Sequence, residues 1–527
     1  MMKKAIKKLL AVLLAVAMVS AMAIPAFADT ESIREHHSFK AFQIFKGNVN
    51  DASEISNVEW GSCIHDYHDF LAELKKDPTL STPFQDADSL QKVLAVISTW
   101  HESDDNSIAF ARFVCHYLYP TADADPQPFI PTSGDVVQIP NDGAGYYLIV
   151  DTTHFNPGDS YHAYNSFLLN VTKAPWNLKI TPKVEKPSVK KEVFDNQDGT
   201  SNKAGFGSSA DHAINEEFQF KLTATLPASY DNDRAYDYYD EYAVLFNDTL
   251  SKGITYDKLD SVVINSNGHT YDITGDSSKY NVDDSRLESD HSFVVRIPDV
   301  KICVPDLNNG ATITVTYTAH LNETAYVNTA SGDTKNNNSV FLQYSNNPIN
   351  TSVGQTPESE VYVFTYQLNN TKRAESENGT PLKGAGFRLY SDEACNEEQE
   401  IKLKKNDDGT YSRYFGAGAG EEMFSGEDGQ FNVKGLDAGT YYLKETKTPA
   451  DYNPCGVTPV TITANHNGNH VELDSSKLST TIINNKAGGI TLPSTGGIGT
   501  TLFYVIGGGL MVAAAVLLIT KKRMENK

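Results

Sequence analysis

Apolar and polar residues alternate with period two along much of the chain. Phe218-Gln219-Phe220-Lys221-Leu222-Thr223 and the run from Thr312 to Tyr317 are clear cases. Successive side chains of a strand point to opposite faces, so such runs predict strands with one buried face. From Trp176 to about Thr356 the pattern is almost wholly of this kind. A second, shorter all-β stretch runs from Val361 to Lys486, broken at Gly379, Gly384, Gly439 and Pro449. Closely spaced strands with Gly, Asn and Asp turns predict β-sandwiches. No short repeat recurs, which predicts a row of domains and not a solenoid. The stretch from Asp29 to about Ala174 reads differently. His68 to Lys76, Ser89 to Trp100 and Ser107 to Tyr117 have helical periodicity, and Tyr146 to Val150 forms a strand behind Gly143 and Gly145.

Two apolar runs fit neither pattern. Lys3, Lys4, Lys7 and Lys8 precede an almost unbroken apolar stretch, Leu9 to Met22, and Ala26-Phe27-Ala28 supplies small residues for cleavage. Basic, apolar and small-residue regions in that order predict a secretory leader, 1–28, with the mature chain starting at Asp29. Near the other end, Ile498 to Thr520 carries no charge. At helical rise it would span roughly 34 Å, enough for a bilayer core. Lys521, Lys522 and Arg523 follow at once and place that end in the cytoplasm.

Composition narrows the function classes. Formal net charge is −23 over 527 residues, and setting aside the lysine-bearing leader and the net-positive tail makes the mature part more acidic still. So negative a chain argues against nucleic acid or anionic lipid as a partner. Its length suggests about three domains. The five cysteines, Cys63, Cys115, Cys303, Cys395 and Cys455, are too few for a disulfide scaffold. Cys395 and Cys455 share a domain and form a candidate pair, Cys63 and Cys115 a second one, and Cys303 has no evident partner. His36, His37, His65 and His68 read as scattered surface residues, since no acid-rich ligand spacing accompanies them. No metal or cofactor is expected, and no Ser–His–Asp or Cys–His arrangement points to an enzyme.

Each β-stretch offers a lysine near its start, an acid in its middle and an asparagine in its last strand. In Pro187 to Val193, alternation puts Val189, Lys191 and Val193 on one face, so Lys191 points inward with the valines. Asp248 follows in Phe246 to Gly253, and Asn338 shares a strand face with Val340 and Leu342. The second stretch repeats the order with Lys372, Glu445 and Asn484. Lys190 and Asn336 stay open as rivals to Lys191 and Asn338, and Asn485 to Asn484. A strand lysine is more commonly a solvated face residue, and an asparagine near a strand end a turn residue. The face pattern and the flanking strands favour the buried reading.

Several of these segments resemble known families. Leu492-Pro493-Ser494-Thr495-Gly496, followed by the apolar run and basic tail (together 488–527), is similar to the sorting signal of sortase substrates. That implies cleavage between Thr495 and Gly496 and transfer of the Thr495 carbonyl to an amine. Residues 176–356 resemble the collagen-adhesin A-type sandwich of Gram-positive pilins. Residues 357–487, with Leu382 to Tyr390 and Tyr441 to Asn453, resemble the B-type sandwich. The expected fold is therefore mainly β: tandem immunoglobulin-like sandwiches after an N-terminal mixed α/β or β-rich domain, 29–175. In these families an internal Lys–Asn isopeptide bond forms beside a carboxylic acid, which implies Lys191–Asn338 with Asp248 and Lys372–Asn484 with Glu445.

The linker Trp176-Asn177-Leu178-Lys179-Ile180-Thr181-Pro182-Lys183 resembles that of backbone pilins, whose lysine accepts the threonine carbonyl of the next subunit. The match implies a Lys183–Thr495 joint and head-to-tail fibres. Thr181 stands where tyrosine is usual and the spacing is short, so Lys179 and Lys186 remain alternatives. Phe39 to Gly47 and Val58 to Gly61 resemble the first domain of backbone pilins. The implied partners are pilin-specific and housekeeping sortases, further copies of the chain, accessory pilins and peptidoglycan, with host receptors as a further class. The implied place is the cell surface of a Gram-positive bacterium, anchored to its wall. The rival reading is an accessory pilin or wall-anchored adhesin, which needs no accepting lysine.

Overall fold

The computed structural model describes residues 39–487 apart from 50–54, 101–103, 121–123, 134–135, 153–165, 172–175, 180–186, 197–203, 228–235, 237–238, 306, 308–309, 334–335 and 348–352, together with positions 516 and 521. The leader, Lys183 and Lys186, the motif Leu492 to Gly496 and the apolar run 498–520 lie outside the described residues. Strands dominate, as the alternation predicts. The described chain divides into two compact units. One holds residues up to Thr365 together with Ala464–Leu473; the other holds Tyr366–Thr463 and the chain from Asp474 onward.

The first unit opens with a sheet whose strand order is Ser166–Val171, Gly145–Asp151, Phe39–Val49, Ile130–Ser133, Val136–Ile139 and Trp176–Lys179, with Ile55–Trp60 paired on Phe39–Val49. Gly145–Asp151 is buried at every position, which explains its unbroken apolar run. The three predicted helices are present as Tyr67–Leu74, Leu90–Ile97 and Asp105–Leu118. The first starts where the Asp66 carboxylate accepts from the backbone N–H groups of His68 and Asp69. Phe42, Phe70, Phe84 and Phe110, all fully buried, build the core beside these helices.

The rest of the first unit contains two facing sheets. One runs in the order Ser209–Asp211, Ser359–Phe364, Asn337–Ser345, Val244–Leu250, Ser292–Ile297 and Asn281–Asp283, with Val353–Gln355 on Asn337–Ser345. The other runs His269–Asp272, Ile254–Ser266, Thr312–Leu321, Glu217–Thr225, Ser188–Asp195 and Gly205–Gly207. Alternation does the sorting. Phe218, Phe220, Leu222 and Ala224 of Glu217–Thr225 turn inward, and Asn338, Val340, Leu342 and Tyr344 do so from Asn337–Ser345. Each large apolar side chain so buried contributes about 1.5–3 kcal/mol. A small third sheet joins Gly332–Asp333 to the hairpin Ala464–Asn467 and His470–Leu473.

The second unit has two sheets of five strands each. One orders Leu403–Lys405, Tyr411–Arg413, Val433–Leu436, Tyr366–Ala374 and Ser479–Asn484. The other orders Glu400–Ile401, Gly386–Tyr390, Gly439–Lys447 and Thr458–Ile462, with Met423–Phe424 on Gly386–Tyr390. Tyr366–Ala374 and Ser479–Asn484, early and late in the unit, lie side by side and parallel.

Candidate functional site

Among the described residues, each unit buries a lysine in a cluster with a carboxylate and a carboxamide. In the first, Lys191 sits on Ser188–Asp195, where alternation with Val193 fixes it inward and its side chain is 0% exposed. Asp248 and Asn338 come from neighbouring antiparallel strands of the facing sheet, in a register that pairs Leu250 with Asn338 and Asp248 with Val340. The lysine Nζ donates to the Asp248 carboxylate and to the Tyr317 hydroxyl at 3.1 Å. The Asn338 Nδ2 donates to the same hydroxyl at 2.5 Å, and that hydroxyl donates to Asp248 Oδ1 at 3.2 Å. Among the described residues, Asn338 Oδ1 has no hydrogen-bond partner.

Burial sets the electrostatics of this cluster. Desolvation pulls the Lys191 pKa down to about 8 although Asp248 opposes the shift, and desolvation raises the Asp248 pKa although Lys191 opposes it. Both shifts narrow the gap between the ion pair and its neutral tautomer, a free amine beside a carboxylic acid. Phe220 and Tyr317 wall the amine, with ring centroids 5.3 and 5.4 Å from Nζ.

The second cluster is more direct. Lys372 Nζ donates to Asn484 Oδ1 at 2.5 Å, Asn484 Nδ2 donates to Glu445 Oε1 at 2.8 Å, and Nζ lies 3.3 Å from the same carboxylate oxygen. The side chains of Lys372 and Glu445 are fully buried, and Phe387 covers the amine with its centroid 5.3 Å away. Lys372 and Asn484 stand on the two adjacent parallel strands, in a register that pairs Lys372 with Ile482 and Ala374 with Asn484. Glu445 reaches them from the other sheet. Gly429 helps to seat the lysine. The Lys372 backbone N–H donates to the Gly429 carbonyl at 2.8 Å, and a Cβ at Gly429 would lie 2.4 Å from the Lys372 carbonyl oxygen.

The rivals fall elsewhere. Lys190 is exposed and donates to Glu192 at 2.7 Å. Asn336 is buried but spends its amide on the Tyr326 backbone, and Asn485 is exposed. The expected disulfides are a correction, since neither Cys395–Cys455 nor Cys63–Cys115 is joined. Cys455 instead places its sulfur 3.5 Å from Lys372 Nζ, with its backbone N–H on Glu445 Oε2 at 2.9 Å. Cys395 sits in a turn with its sulfur toward the Glu393 carbonyl, and Cys63 donates to Gln43 O. Shared membership of a domain said nothing about approach, which a disulfide requires to within narrow limits.

Tyr317 is the residue that sequence reasoning missed. Its strand was legible from the alternation of Thr312 to Tyr317, which puts it on the inner face with Val315 and Ile313. Nothing in the sequence shows that its hydroxyl meets Lys191, which lies on the far side of the intervening strand Glu217–Thr225.

Residues 368–477 match the SpaA prealbumin-like fold domain, and residues 484–526 match the LPXTG cell wall anchor motif. No curated protein matches the chain. Similar solved structures include the T6 backbone pilin of serotype M6 Streptococcus pyogenes, 17% identical over 86% of this chain and 97% of that one, with a TM-score of 0.46. The full-length major pilin SpaD of Corynebacterium diphtheriae is 17% identical over 89% and 95%, with a TM-score of 0.42. The group B streptococcus pilus 2b backbone protein is 23% identical over 56% and 98%, with a TM-score of 0.40. The chain thus carries a prealbumin-like SpaA domain and a cell wall anchor motif.

Proposed function

We propose that this chain is the structural subunit of a covalently polymerised, wall-anchored pilus shaft, sealed internally by two Lys–Asn isopeptide bonds. The single observation that carries the reading is the second cluster, an amine 2.5 Å from a carboxamide oxygen with a buried carboxyl on both groups. In its neutral form the Lys372 Nζ attacks the Asn484 side-chain carbonyl carbon. A new C–N bond forms, the old C–N bond to the amide nitrogen breaks, and ammonia leaves. Glu445 in its acid form stands against the carboxamide nitrogen, the group that must leave. It then passes its proton to the departing nitrogen and takes one from the attacking amine. No external reactant is needed, because the fold supplies proximity worth a large part of the barrier. Lys191, Asn338 and Asp248 do the same in the first unit. The reaction occurs once per site, so the chain is a structural protein and a sortase substrate, not an enzyme.

Between subunits, Lys183 is the amine that takes the Thr495 carbonyl from sortase. Pro182 precedes it in the sequence, and a proline disfavours helical backbone at its own position and the one before. Replacing Lys183 with alanine is expected to abolish the ladder of high-mass polymers that producing cells yield on denaturing gels, leaving monomer. A ladder that persists in Lys183→Ala and also when Lys179 and Lys186 are replaced would instead make the chain an accessory subunit.

Tyr317 completes the first cluster. Its hydroxyl touches both reacting side chains and the acid, so it can relay the proton between them. Tyr317→Phe keeps the ring and removes only that contact. The Lys191–Asn338 bond is expected to form ~10²-fold more slowly, the low end for a lost proton-transfer group, while the second unit reacts at its usual rate. Time-resolved peptide mass spectrometry after refolding checks this, and equal rates for both proteins would contradict it.

A further inference from the structure

Away from both lysine clusters, the first unit buries Asp195, Asp211 and His466 together. Asp195 ends Ser188–Asp195, Asp211 ends Ser209–Asp211, and His466 comes from the hairpin 464–473. None is more than 2% exposed. We propose that these three side chains form a binding site for a divalent cation of the zinc class, taken by one imidazole nitrogen and two carboxylate oxygens.

The spacing supports this. His466 Nε2 lies 3.1 Å from Asp195 Oδ2 and 3.4 Å from Asp211 Oδ1, and one donor atom from each of the three residues falls within 4.8 Å of the others. A charge-assisted N–H···O contact prefers roughly 2.7–2.9 Å. Ligands bound at ~2.0 Å around a tetrahedral zinc stand about 3.3 Å apart, which the two values bracket. The other ring nitrogen, Nδ1, lies 2.9 Å from Ser209 Oγ. With Nδ1–H donating to that hydroxyl, the tautomer is fixed and the Nε2 lone pair faces the carboxylates, the usual outer-shell device for a histidine ligand. The Phe364 ring stacks on the imidazole at 5.7 Å and holds its plane.

Charge points the same way. Two carboxylates removed from water need a counter-charge. A divalent cation held by the imidazole nitrogen and the two carboxylates would supply it. Calcium is disfavoured, since it takes 6–8 oxygen ligands. Ser209 and His466 stand 257 positions apart, so the ion would staple the hairpin to the strands that carry the aspartates and stabilise the folded first unit. The histidine and the aspartates come from segments too distant for any ligand spacing to be legible in the sequence.

The mature chain, residues 29–495, stripped with chelator and dialysed against Zn2+, is expected to retain one zinc per molecule by metal analysis. Its thermal midpoint is expected to rise by roughly 5 °C and to fall back on chelation. Co2+ in place of zinc is expected to give the intense visible absorption of a tetrahedral site. His466→Gln should lose both the zinc and the shift. A wild-type midpoint indifferent to zinc and chelator, or a Co2+ spectrum of octahedral weakness, overturns the site. So does zinc retained equally by a folded His466→Gln chain. The wild-type measurements decide the matter alone if the variant does not fold.

Discussion

Replacing Glu445 with glutamine is expected to leave the second unit uncrosslinked, while the first unit still loses its ammonia. Glutamine keeps the shape and the burial but cannot give a proton to the leaving nitrogen or take one from the amine. Positioned acid–base groups contribute ~10²–10⁴ in rate. An unactivated amide has no other route here, because Lys372 Nζ and Asn484 Nδ2 both meet the Glu445 carboxylate. Glu445→Ala adds a second penalty, since a buried lysine stripped of its partner costs about 3–5 kcal/mol. Tandem mass spectrometry of the Lys372 and Asn484 peptides separates the two variants from wild type. A joined pair in Glu445→Gln at the wild-type rate would remove the acid from the mechanism.

The second large effect is on stability. Asn484→Ala removes the electrophile but leaves the Lys372–Glu445 pair in place, so the variant isolates the crosslink from the charge pair. Lys372 and Asn484 are 112 positions apart. A covalent tie closing a loop of that size is worth about 5 kcal/mol in the chain-entropy account. For a unit of this size the melting midpoint should fall on the order of 20 °C. Differential scanning calorimetry of the mature chain should show the second unit melting early and the first unchanged. A shift of only a few degrees would mean the lysine is held by packing and not by a bond. The mechanical consequence differs between the units. In the second, the bond would tie adjacent parallel strands of one sheet, Tyr366–Ala374 and Ser479–Asn484. In the first, Lys191 and Asn338 stand on facing sheets, so their bond would run through the sandwich.

The lysines and asparagines were legible because period-two burial is a local property. Val193 flanking Lys191, and Val340 and Leu342 following Asn338, decide which way the polar residue points. The three helices were legible for the same reason, since an apolar stripe needs only its own turn to show. What could not be read depends on register between distant strands. Tyr317 reaches Lys191 across an intervening strand. The hairpin 464–473, whose residues alternate like those around it, forms a sheet with Gly332–Asp333 of the first unit. The cysteines failed for a related reason, because Cys455 was drawn to the Lys372–Glu445 cluster and away from Cys395.

Folding alone is expected to convert two buried amines and two carboxamides into covalent links. The intact mass of the mature chain, made without any sortase, tests it most directly. That mass should fall short of the composition by two ammonia molecules, mapped to Lys191–Asn338 and Lys372–Asn484. A chain weighing what its unmodified sequence requires would contradict it.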